Sequence, residues 1–85
     1  MLYFKVINNF LLNGRCYIAF EKGEIFFIIP NDGTSIRDTY TLLMHFINGT
    51  HAGKDFPLEQ GVYSKFRDHL RKRDIILIKD TSDFE

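Results

Sequence analysis

The chain has 85 residues, 45% of them hydrophobic and 15% aromatic, with nine Phe, four Tyr and no Trp. That suffices for one domain with one core. Eleven basic residues balance eleven acidic ones, so no global field steers the molecule to nucleic acid or a membrane surface, and neutrality weakens repulsion from whatever it meets.

A single cysteine, Cys16, excludes an intramolecular disulfide and a cysteine-built metal site, and makes a reduced, cytoplasmic setting the default expectation. The start, MLYFKVINNF, has no basic leader ahead of an apolar run and no small-residue cleavage site. No apolar stretch reaches membrane-spanning length.

Leu2 to Ile7 alternates as a strand, with Leu2, Phe4 and Val6 on one face and Tyr3, Lys5 and Ile7 on the other. Asn8-Asn9 predicts a bend. Asn13-Gly14 is a strong hairpin signal, because both residue types tolerate positive φ. Arg15 to Glu21 reads as a second strand with Cys16, Ile18 and Phe20 on one side, and Lys22-Gly23 makes the next turn. Glu24 to Ile29 is the third strand, ended by Pro30 and a polar turn at residues 31–33. The first 33 residues are thus expected to form a three-stranded antiparallel meander.

The third strand poses a question. Phe26 and Ile28 point one way, while Ile25, Phe27 and Ile29 point the other. One face of such a meander meets the helices, and the other normally turns polar. Leaving these side chains in water forgoes about 1.5–3 kcal/mol each, a cost removed either by a partner that covers them or by the chain itself, if its helices wrap around the strand or the sheet curls.

The period then shifts. Thr34 or Ser35 is placed as an N-cap, with Asp38 in the first turn. Ile36, Tyr40, Leu43 and Ile47 follow at helical spacing, and Asn48-Gly49 supplies a left-handed stop. Thr50 to Gln60 is expected as a loop with at most one short turn, near Pro57. A second helix is predicted from Gly61 to Arg73, with Val62, Phe66 and Leu70 recurring every fourth residue and Tyr63 widening that stripe. Ile75 to Lys79 is a short apolar strand, and residues 81–85 form an acidic tail. The expected fold is α+β: one domain over residues 1–80, with an N-terminal meander, two or three helices and a short C-terminal strand, winged-helix-like.

Catalytic constellations are poor. His45, His51 and His69 lack metal-ligand spacing such as HExxH, and His45 and His69 read as solvent-facing helix positions. Cys16 has no activating base nearby in sequence and reads as a small buried residue. No enzymatic activity, cofactor or metal is expected.

Three strands, a helix ending in FING, a basic amphipathic helix and an apolar exit follow one another along the chain. In that order, TYTLLMHFINGT and VYSKFRDHLRKRDIILI resemble the first helix and the last helix of the RiPP recognition element, a leader-peptide-binding domain. Asn48 stands where that family carries Asp, and the middle helix has no good counterpart in GTHAGKDFPLEQ. The resemblance implies a non-catalytic chaperone-like module that docks a leader peptide as an added strand and presents it to a modifying enzyme. It implies a groove floored by Glu24, Ile25, Phe26, Phe27, Ile28 and Ile29 and walled by Tyr63, Phe66, Arg67, Leu70 and Arg71, the arginines pairing with acidic leader residues.

Two other readings stand beside it. Lys65, Arg67, Arg71, Lys72 and Arg73 on the last helix could follow phosphates, as in a small winged-helix-like nucleic-acid-binding regulator, although neutral net charge argues against strong non-specific affinity. Alternatively, the chain is a small inhibitor or adaptor, monomeric or a homodimer pairing through the third strand.

Overall fold

A period of two governs most of this chain. Phe4 and Val6 are buried while Lys5 between them is exposed, and Ile18 and Phe20 are buried while Tyr17 and Ala19 are exposed. Met44 and Phe46 are fully buried, with Leu43 and His45 only half-buried. In the computed structural model, which describes residues 2–14, 17–30, 42–58 and 60–80, these stretches are strands. Chain order is β1 (Leu2–Val6), β2 (Phe10–Asn13), β3 (Tyr17–Phe20), β4 (Ile25–Pro30), β5 (Leu42–Phe46), β6 (Asp55–Leu58), a 3-10 turn (Gln60–Val62), α1 (Tyr63–Arg71) and β7 (Ile75–Asp80). No helix among the described residues is long and apolar enough to cross a membrane.

Five of the strands form one antiparallel sheet in the order β6-β5-β4-β1-β7, and β2 and β3 form a separate hairpin. The sheet joins both ends of the described chain, with Leu2 opposite Asp80. Its edges are blunted: β6 is short and carries Pro57, and β7 has a bulge against β1 between Tyr3 and Phe4.

This architecture corrects the α+β, winged-helix-like expectation. The molecule is mostly β, with seven strands and one short α-helix among the described residues. The expected meander is also rearranged, because β4 pairs with β1 and β5 and leaves β2–β3 as an excursion. The helix expected to end at Asn48-Gly49 is a strand where it is described, over Leu42–Phe46; residues 34–41 of it lie outside the described residues, as do Cys16 and residues 81–85. A short apolar run such as LLMHF satisfies either period. Pairing with β4 on one side and β6 on the other selects the strand. The expected loop at Thr50–Gln60 contains β6. The final helix and strand fall close to where the periodicity put them.

One face of the sheet carries the core. Phe26, fully buried, lies at its centre. Its ring meets Phe4 at 5.5 Å, Phe46 at 5.1 Å, Phe20 of the hairpin at 5.6 Å and Phe66 of α1 at 6.2 Å. Such ring pairs contribute about 0.5–1.5 kcal/mol each beyond burial. Leu12 and Ile18 of the hairpin and Val62 ahead of α1 complete this layer.

The opposite face carries Ile25, Phe27 and Ile29 of β4, the three side chains left over by the alternation. Tyr3, Leu43, His45, Pro57 and Ile76 share that face by register. The hairpin and α1 pack on the core face, so no described helix or hairpin covers it.

Candidate functional site

The core face is covered unequally. The hairpin reaches the end of the sheet near Phe26 and Phe46 through Phe20. At the other end, α1 stands over Leu2, Phe4, Ile28, Leu42 and Leu58, which come from four adjacent strands. Between helix and sheet lies an open cleft of about 250 Å³. Tyr63, Phe66, Arg67 and Leu70 form its wall.

Helical spacing explains that wall. Phe66 is buried against Phe4 at 5.7 Å, and positions three and four residues away fall on the same side. Tyr63 and Leu70 are therefore half-buried over the cleft, with Arg67 beside Phe66 at its margin. Burial pushes the Tyr63 phenol above its ordinary pKa, so it is a neutral hydroxyl at physiological pH. Arg67 is exposed and forms no ion pair among the described residues.

The residues expected to form a peptide groove are thus divided. Ile28, Tyr63, Phe66, Arg67 and Leu70 meet at the cleft. Phe26 is sealed in the core, and Ile25, Phe27 and Ile29 lie on the reverse face. Arg71 projects outward in a loose pair with Asp68 at 3.4 Å. Glu24 lies before β4, in the turn, with its carboxylate buried. Because β4 is hydrogen-bonded to β1 and to β5, neither an added strand nor a second copy of β4 finds a free edge there.

The basic residues of α1 do not form one stripe. Lys65 Nζ donates to the carbonyl of Asn13 at 3.2 Å, and with Lys72 it lines a shallow hollow beside Leu11, Asp68 and His69. Arg67 faces the cleft, and Arg73, with φ of 64°, ends the helix. The helix pair of a winged-helix reader is missing from the described residues.

Sequence reasoning missed Leu2, Phe4, Leu42 and Leu58 as cleft residues. Alternation puts Leu2 and Phe4 on one face, but the local period places Leu42 in a helix and Leu58 in a loop. It also missed that each histidine meets a carboxylate. His45 bonds Asp55, His51 bonds Glu24 at 2.7 Å, and His69 bonds Asp74 at 2.8 Å. His69 is no solvent-facing residue: it stacks on Phe10 at 4.0 Å. His51 is boxed by Phe46 and Phe56, each at 5.2 Å. Among the described residues no Ser, Thr or Cys side chain bonds to these histidines, and no three potential ligands converge on a metal position. These pairs join neighbouring elements: β5 to β6, the turn before β4 to the turn after β5, and α1 to the turn that follows it.

The chain matches no protein-family model, and neither a curated protein nor a solved structure gives a significant match.

Proposed function

We propose that this chain is a non-catalytic peptide-binding module that takes an apolar peptide segment into the cleft between α1 and the sheet. The observation that carries this reading is the pairing of an open apolar cleft with Arg67, a cation at its margin that forms no ion pair among the described residues. Apolar lining rewards burial of Leu- or Phe-sized side chains. The guanidinium selects a carboxylate next to them, as a charge-assisted, bidentate contact. The preferred ligand is therefore an apolar segment carrying Asp or Glu. It docks by side chains, since β4 has no free edge and both outer strands are blunted.

The test is a titration with a synthetic peptide of about ten residues alternating Leu with Asp, followed by amide and methyl chemical shifts. Shifts at Ile28, Leu42 and Leu70 with a dissociation constant on the order of micromolar are expected, and Arg67→Glu weakens binding about tenfold. Unmoved cleft signals at saturating peptide would remove this reading. So would binding that Arg67→Glu leaves unchanged.

A further inference from the structure

The reverse face of the sheet carries a row of side chains that crosses every strand. Lys79 of β7 is opposite Tyr3 of β1, Tyr3 is opposite Phe27 of β4, Phe27 is opposite His45 of β5, and His45 is opposite Asp55 of β6. The aromatic members touch: Tyr3 and Phe27 lie 5.1 Å apart and Phe27 and His45 lie 5.0 Å apart. His45 bonds Asp55, whose side chain nevertheless remains 52% exposed. The row therefore runs from an exposed cation, over three rings, to an exposed anion. Ile25, Ile29, Leu43, Pro57 and Ile76 flank it on the same face.

We infer that this face is a self-association surface, and that its partner is a second copy of this chain stacked face to face. The row has β4 at its centre and two strands on either side. A two-fold axis lying along β4 therefore sets Phe27 on its own counterpart. The same operation sets Tyr3 over the partner's His45, and Lys79 over the partner's Asp55. Each charged end meets its opposite twice, as an isologous interface requires. Zero net charge imposes no long-range repulsion between copies. Stacked sheets pack about 10 Å apart with strands inclined by about 30°, and a lysine side chain spans the offset this inclination produces at the outer strands. Five strands of about five residues make the face about 24 Å wide and about 17 Å long, or about 400 Å² a partner, below the size of a standard stable interface, so the dimer is expected to be weak and in rapid exchange. The cleft is on the opposite side of the sheet, so this inference does not rest on peptide binding, and a dimer leaves both clefts open.

Sedimentation equilibrium of the full chain from micromolar to submillimolar concentration tests it. The unaltered chain is expected to show a monomer–dimer equilibrium. Asp55→Lys alone places lysine over lysine, and Lys79→Asp alone places aspartate over aspartate. Each is expected to weaken association by about tenfold or more. An equimolar mixture of the two variants restores both opposite-charge contacts and is expected to associate like the parent. Both positions are exposed at the sheet margins, and circular dichroism verifies that each variant is folded. A parent that stays strictly monomeric overturns the inference. Single variants that dimerise like the parent overturn it, as does a mixture no better than its components.

Discussion

Glu24 is the one charged side chain buried among the described residues, at 2% exposed. Its carboxylate accepts from the Glu21 amide at 2.7 Å and from His51 Nδ1 at 2.7 Å, binding the turn before β4 to the turn after β5. Gly49 completes this lock. Its φ is +79°, and a Cβ there would stand 2.8 Å from Glu24 Cγ, so neither the backbone angle nor the space admits a side chain. Glu24→Ala leaves the half-buried His51 and the Glu21 amide without their acceptor and is expected to cost about 2–3 kcal/mol in urea unfolding. A loss under about 1 kcal/mol would place the weight of this turn elsewhere. Asp74 offers a pH readout. Hydrogen bonds from His69, first, and Asn8 hold its carboxyl below the usual range, with burial opposing them. A folded pKa below the unfolded one contributes stability that is complete above the unfolded value of about 3.9 and is lost as pH falls through the folded value. The stability gap between the parent and Asp74→Asn should therefore be largest near neutrality and narrow in acid. A gap constant from neutral to strongly acidic pH would contradict it.

At the scale of elements, α1 shows the limits of local signals. Its apolar stripe was readable in advance because Val62, Phe66 and Leu70 keep one period from 3-10 turn to helix. Its ends were less so. No side chain caps its start, where Val62 is committed to the core. Its end is closed by Arg73 in the left-handed region, with the Asp74 amide donating to the His69 carbonyl at 2.9 Å. That conformation costs a non-glycine residue about 1 kcal/mol. Arg73→Gly is thus expected to raise the thermal midpoint by a few degrees, and a fall in the midpoint would mean the arginine side chain contributes something there. β5 is the opposite case. Its residues read as helix because Leu43 and Ile47 stand at helical spacing. The alternating burial of Met44 and Phe46 appears only once β4 and β6 are beside it. The cleft inherits this division: its helical wall was legible in sequence, whereas Leu42 and Leu58 of its floor were not, because their direction depends on β5 pairing with β4 and β6.

For the molecule as a whole, the answer to the two-faced strand is position. β4 is the middle strand of five. One of its faces meets the hairpin and α1, with Ile28 left at the cleft, while the other contributes Phe27 to the aromatic row. Local pattern alone determined which side chains of β1 and β4 point together, which face of α1 is apolar, and that β4 is oily on both sides, since these follow from the fixed geometry of a strand and a helix. Only the tertiary structure decided that residues 42–46 extend rather than coil, that β4 has no free edge, and that the cleft and the half-buried aromatic row lie on opposite sides of one sheet. Strand pairing draws its energy from residues far apart in sequence, here as far as Leu2 and Asp80, and no local period records which strands will meet.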